Sequence, residues 1–187
     1  KLNYNTMVLY MLFMKAVTEK VGEIQLRREN VNLRISVRND ISDWEKRENV
    51  IFNPSELEEQ KDESSKEKPV HFSVKWEGSK KSSVLRYLDA KETATALKKK
   101  KKYKGGVPRA FTGDDDNNKW VPILACECRG LEPYEFLPMK DEFVIAGEDG
   151  YIFDEEIEFE DGEWTDFDLE NECPVTISEL EFKFEAV

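Results

Sequence analysis

Very few residues in this chain have side chains suited to acid–base, nucleophilic or metal chemistry. There is one histidine, His71, and three cysteines, Cys126, Cys128 and Cys173. A histidine base needs a pocket and an orienting partner. His71 falls on the polar side of the alternating run Val70 to Trp76, which predicts a solvent-facing strand residue. Cys126 and Cys128 lie two apart on an extended stretch, so they share a side and do not bridge each other. With Glu127 between them raising thiol pKa values, they read as core thiols. Asp114-x-Asp116-x-Asn118 imitates the opening of a calcium loop. Lys119 stands where that loop needs glycine, however, and Ala125 where it needs a bidentate glutamate, so a solvated acidic turn is expected. The carboxylates from Glu148 to Glu172 are numerous enough for a hard cation or a hydrolase pair. Most alternate with apolar residues, which puts them on the wet face of a sheet. Nucleophile, base and orienter cannot be assembled from this set, and no catalytic activity is expected.

The elements that would position these groups are strands. Val31, Leu33, Ile35 and Val37 alternate with Asn32, Arg34, Ser36 and Arg38. Val70, Phe72, Val74 and Trp76 repeat the pattern, as do Leu180, Phe182, Phe184 and Ala186. A period of two sustained this long marks half-buried antiparallel strands. The apolar run from Met7 to Met14 is far shorter than the roughly 20 residues of a membrane span, lacks a convincing cleavage site after it, and reads as a buried strand. Pro54 to Lys68 reads as a polar loop, with a helical turn capped by Ser55 at its start. Lys91 to Leu97 suits a short helix, and residues 91–119 as a whole read as a flexible charged insertion. Met14 to Val21 with the later Trp44, and Cys126 to Phe136 with the later Trp164, hint at a duplicated β-module.

At 187 residues the chain can bury its own core. The expected organisation is a leader over Lys1 to Thr6, then one unit over 7–187 built from two β subdomains of about 7–90 and 120–187. Three unevenly placed cysteines do not make a secreted disulfide framework, which points to a reducing compartment, the cytoplasm. Charge is segregated. From Asp141 to Val187 there are 18 acidic residues and one basic residue, Lys183, within a net charge of −12. The first 140 residues are therefore net positive, with Lys98 to Lys102 and Lys104 at the centre. That lysine run could supply phosphate contacts, but the overall charge and the single nearby aromatic, Tyr103, favour a solvated loop and no nucleic-acid binding.

The run Cys126-Glu127-Cys128-Arg129-Gly130-Leu131-Glu132-Pro133-Tyr134-Glu135-Phe136 joins an extended stretch to a glycine and a proline, a fixed structural corner. Gly130 permits a positive φ or a bulge, and Arg129 with Glu132 would form an ion pair fixing the turn. Together with Glu163-Trp164-Thr165-Asp166-Phe167-Asp168, this run resembles the eukaryotic CXXC-motif zinc-binding protein family, whose biochemical role is poorly defined. The resemblance implies an all-β fold of two pseudo-symmetric antiparallel β subdomains, barrel- or sandwich-like, packed into one unit. It also implies a zinc held by two Cys-x-x-Cys pairs, whose positions here fall at Ile35 and Arg38 and at Trp76 and Ser79. None of these is a thiolate. Structural zinc in small fingers contributes on the order of 10–16 kcal/mol, so a chain without the ligands must hold the same loops by strand pairing and packing, with Trp76 as a plug.

The expectation is thus a metal-free, non-catalytic member without cofactor, a monomer that binds a protein partner through its acidic C-terminal half and no membrane. Arg129, Glu132, Trp164, Asp166 and Asp168 are its structural or interaction motif. The alternative is a residual metal role through other ligands, such as carboxylates or Cys126 and Cys128.

Overall fold

A computed structural model describes residues 6–59 and 68–187. The strands are β1 (Val8–Glu19), β2 (Val21–Leu26), β3 (Leu33–Asn39), β4 (Ser42–Phe52), β5 (Phe72–Val74) and β6 (Ser83–Leu88). After helix α1 (Ala90–Leu97) come β7 (Phe111–Thr112), the single turn α2 (Gly113–Asp116), β8 (Val121–Arg129) and β9 (Leu131–Phe136). β10 (Phe143–Gly147), β11 (Ile152–Phe153), β12 (Trp164–Asp168) and β13 (Cys173–Ala186) complete the chain. The molecule is all-β and antiparallel throughout, as expected. No helix among the described residues is long and apolar enough to cross a membrane.

Three sheets form, ordered β12-β13-β1-β8-β6-β5, β11-β10-β2-β7 and β4-β3-β9. The first is a palindrome about the antiparallel β1–β8 pair, and each central strand runs through a one-residue corner into another sheet. Lys20, at φ 60°, turns β1 into β2, and Gly130, at φ 72°, turns β8 into β9. β2 then pairs with β10 and β9 with β3, each the other's counterpart. The corner resemblance read from sequence is thus a repeat in space. The two tryptophans are not equivalent, however: Trp44 lies in β4, 86% exposed, and Trp164 is buried in β12. The halves 7–90 and 120–187 also exchange strands, because β1 takes its partners from β8 and β13.

Alternation along β1 explains its continuous apolar sequence. Tyr10, Leu12, Met14 and Ala16 enter the main core, while Leu9, Met11 and Phe13 face a second cluster on the other side. A strand covered on both faces has no polar side to show. The second cluster is capped by Ala96 and Leu97 of α1 and by Tyr103, Trp120 and Val187. This corrects the reading of residues 91–119 as a flexible insertion: the segment closes a core. α1 starts at Asp89, which accepts from the Glu92 N–H while the Glu92 carboxylate accepts from the Asp89 N–H. Phe111 is fully buried, and β7 pairs with β2. At the start of the Pro54 loop no helix forms. Asn53, not Ser55, supplies the capping oxygen, accepting from the Ser55 N–H at 2.8 Å. Residues 60–67 of that loop and Lys1 to Asn5 of the expected leader lie outside the described residues.

Candidate functional site

The β3–β4 turn and the β5–β6 loop face each other across a cavity of ≈ 510 Å³. Asn39, Asp40 and Ile41 line it from the turn, Trp76 to Ser83 from the loop, and Gly130 from the β8–β9 corner. The loop reverses at Gly78, at φ 72°, with the Ser79 N–H donating to the Trp76 carbonyl at 3.1 Å. Trp76 is 3% exposed, and its indole N–H donates to the Gly130 carbonyl at 3.0 Å. The Ser83 hydroxyl donates to that same oxygen at 2.8 Å, filling both lone pairs of one carbonyl. The Arg47 guanidinium lies 5.2 Å over the Trp76 ring from β4, a cation–π contact that ties the second loop to the first.

Of the four positions assigned to zinc ligands by resemblance, Trp76 and Ser79 line this cavity. Ile35 and Arg38 do not. Ile35 is buried in the core, paired with Val50 and Phe136. Arg38 makes two hydrogen bonds to Glu132, at 3.0 and 2.9 Å, and lies with Lys46 over the Tyr134 ring. The donors at the cavity are instead Asn39, Asp40, Glu45 and Glu77, beside Lys80 and Lys81. Neither thiol nor imidazole stands among them, and Asn39 is spent on the Glu45 carboxylate at 2.5 Å and the Ile41 N–H at 3.2 Å. Burial, with Glu132 nearby, raises the Asp40 carboxyl pKa. Among the described residues no group of three His, Cys, Asp or Glu side chains is placed to hold a metal. The residues present do not fit a closed tetrahedral zinc, which takes sulfur and imidazole ligands.

Other sequence readings fare differently. Glu132, expected beside Arg129, meets Arg38 across the β3–β9 ladder, while Gly130 turns the chain and Arg129 lines the cavity. Asp116 is not solvated. It is 6% exposed, takes both Arg109 guanidinium nitrogens at 2.5 and 2.7 Å, and accepts from the Thr112 N–H. The Arg109 hydrogen bonds hold its carboxyl below the usual range. His71 is not exposed either. Its Nδ1 accepts from the Tyr87 N–H at 3.0 Å, its Nε2 lies 3.1 Å from the Pro54 carbonyl, and the Phe52 and Tyr87 rings flank it. Burial lowers its pKa. β5 is only three residues long, so alternation did not carry through to residue 71.

Cys126 and Cys128 are core thiols, both buried, with Sγ atoms 3.9 Å apart, and burial raises the Cys128 pKa. Trp164 is buried against Phe153. Asp168 ends β12 as a turn residue, accepting from the Glu170 and Asn171 N–H groups at 2.9 Å each. Asp166 is exposed, and its carboxylate accepts from the Phe167 N–H, its chain neighbour. What sequence reasoning missed here are Phe167 and Leu169, 47% and 73% exposed beside that acidic turn. Their place in an alternating acidic run was the signal.

Comparison with known proteins places the chain in a family and matches its fold. A family model described as CXXC motif containing zinc binding protein, eukaryotic, matches residues 11–185. A UPF0587 protein of Caenorhabditis elegans is 37% identical over 73 residues, covering 39% of this chain and 43% of that protein. The CXXC motif containing zinc binding protein of Rattus norvegicus is 36% identical over 70 residues, covering 37% of this chain and 43% of the rat protein. In these alignments the chain spans less than half the length of the relatives it matches. A solved structure of a hypothetical protein from Plasmodium falciparum superposes with a TM-score of 0.75 at 21% identity, over 95% of this chain and 99% of that one. This last likeness speaks for the fold. With a family match across nearly the whole described core, the chain belongs to the eukaryotic CXXC motif containing zinc binding protein family.

Proposed function

We propose that this protein is a metal-free, non-catalytic interaction module of the cytoplasm, a monomer that docks a basic, extended segment of a partner protein on its acidic C-terminal part. The observation that carries this reading is the outer edge of β12. Among the described residues that strand pairs with β13 alone, which leaves its outer edge open in the six-stranded sheet. Phe167 and Leu169 stand exposed there among Asp166, Glu170 and Glu172. A free edge offers main-chain hydrogen bonds, exposed apolar side chains offer anchors, and the carboxylates select positive charge. The absence of catalysis is supported by His71, both of whose ring nitrogens have backbone partners, and by two cysteines sunk in the core. Loss of the zinc site is supported by the Trp76–Gly130–Ser83 hydrogen-bond cluster, which ties the β5–β6 loop to the β8–β9 corner.

Fluorescence anisotropy with a labelled peptide of alternating lysine and valine tests the docking reading. Binding should weaken steeply with added salt and fall by about tenfold in Phe167→Ala/Leu169→Ala, as lost apolar anchors would have it. Salt-insensitive binding, or none, sinks it. A second reading, metal held by Cys126 and Cys128, is favoured by their 3.9 Å Sγ separation. Elemental analysis decides between the two: near one zinc per chain, lost in Cys126→Ser, supports the second, and near zero supports the first.

A further inference from the structure

We propose that Asp166 gates the open edge of β12, admitting a strand that carries a lysine or arginine and refusing a neutral one. Such a gate presupposes that a basic segment docks at this edge, and it names the residue that selects the segment. Register shows which way the main chain points. Phe167 lies opposite Pro174 in the antiparallel β12–β13 ladder. Proline has no N–H to give, so these two residues cannot exchange a pair of hydrogen bonds and instead form a wide pair. The Phe167 N–H and carbonyl therefore face away from β13, towards the open side. Alternation gives Thr165 the same direction, while Asp166 and Asp168 turn their main-chain groups to β13.

That outward N–H is already engaged. The Asp166 carboxylate accepts from it at 2.7 Å. A side chain bonded to neighbouring main chain competes with strand pairing for the same atom, and a strand added to this edge needs that donor. Asp168 closes the turn that follows in the same way, accepting from the Glu170 and Asn171 N–H groups. The two carboxylates differ in freedom. Asp168 is 2% exposed and also takes the Asn171 side-chain amide at 2.9 Å, which fixes it. Asp166 stands in solvent and can swing off its neighbour.

What draws Asp166 away sets the chemistry of the partner. A strand with a lysine or arginine beside residue 166 offers the carboxylate a charge-assisted hydrogen bond, while its own carbonyl takes the Phe167 N–H. Every group is then paired again. A neutral strand breaks the Asp166–Phe167 hydrogen bond and leaves the carboxylate to water alone. Because Asp166 is exposed, water returns part of that loss, and the discrimination at this one position is a modest factor rather than an absolute bar. Charged side chains that blunt an open edge are a common protection against unwanted strand pairing. Here the blunting group is one that the right partner can remove.

Fluorescence anisotropy on the full chain tests the gate by comparing the lysine–valine peptide with a glutamine–valine peptide of equal length. Asp166→Ala removes the competing acceptor and should bind the glutamine peptide about three- to tenfold more tightly than wild type does, at unchanged melting temperature. Asp166→Asn keeps an oxygen for the Phe167 N–H, and Glu170→Gln removes a charge while leaving Asp166 in place. Both should hold the glutamine peptide as weakly as wild type. Concentration-dependent dimers of Asp166→Ala would also support the gate, with a second copy as the strand shut out. A glutamine peptide bound no better by Asp166→Ala than by Asp166→Asn overturns the gate and leaves the docking reading standing. Failure of wild type to bind the lysine peptide sinks that reading, and the gate with it.

Discussion

Trp76 and Gly130, 54 positions apart, are joined by one hydrogen bond: the indole N–H meets the glycine carbonyl at 3.0 Å. The acceptor sits on the corner that passes β8 into β9, and the donor on the loop between β5 and β6. At a position that the resemblance gives to a ligand stands a buried ring with one polar edge. Such a link is satisfied locally and requires no ligand.

Truncating that ring should therefore be costly. Trp76→Ala is expected to lower unfolding free energy by about 3–5 kcal/mol, the range for a buried large aromatic. Trp76→Phe keeps much of the area but loses the donor, and should cost less, about 1–2 kcal/mol. Urea unfolding checks both; a Trp76→Ala loss below that of Trp76→Phe would refute the anchoring role.

Gly130 should not tolerate a side chain. It sits at φ 72°, and a Cβ would lie 2.3 Å from the Ser83 hydroxyl oxygen. Gly130→Ala should cost about 1–2 kcal/mol from backbone conformation, with a further penalty from that collision. Adding Ser83→Ala should recover part of the loss in a double-mutant cycle, and strict additivity would show that the clash does not matter.

Glu142 gives stability a pH dependence of its own. Burial pushes its carboxyl up to about 8, only partly offset by the Met139 and Arg34 backbone; Oε2 accepts from the Met139 N–H at 2.8 Å, while Oε1 is enclosed. The folded state keeps this proton where the unfolded chain has released it, so the contribution is whole below about pH 4.3 and is lost as pH rises towards 8. Glu142→Gln should flatten that decline, read as urea midpoints at about pH 5 and about pH 8.5. An unchanged decline would assign it to another group.

Asp116 works in the opposite direction. The Arg109 pair depresses its pKa, so its stabilisation is present above the unfolded value of about 3.9 and disappears as pH falls through the lower folded one. Asp116→Asn should cost about 1.5–3 kcal/mol at neutral pH, as for a hydrogen bond to a charged group. It should also lessen acid sensitivity. A neutral-pH loss under half a kcal/mol would show that the pair is idle.

How far the sequence spoke depended on the reach of each signal. Long alternation made β3 and β13 legible, and the apolar run from Met7 to Met14 announced a buried strand, though not that both its faces are covered. The Gly130 corner was legible because few residues accept its backbone. His71 was misplaced because β5 ends after three residues and the side chain answers to Pro54, 17 positions earlier. Glu132 was paired with the wrong arginine because the choice lies in a ladder between strands 94 residues apart. Residues 91–119 looked like a flexible charged insertion and Asp114 to Asn118 like a solvated turn, since nothing local shows that Phe111 fills a core or that Arg109 reaches Asp116. Trp76 and Ser79 were singled out by resemblance, but nothing local shows that the Asn39 to Ile41 turn faces them across a cavity.

The palindromic sheet also sets a schedule for biosynthesis. β1 is made well before β13, which closes one of its edges. At typical translation speeds the last strand emerges roughly 8–30 s after the first. Until β8 is made both edges of this largely apolar strand stand open, and until β13 is made one still does, inviting chaperone capture or association with a neighbouring nascent chain.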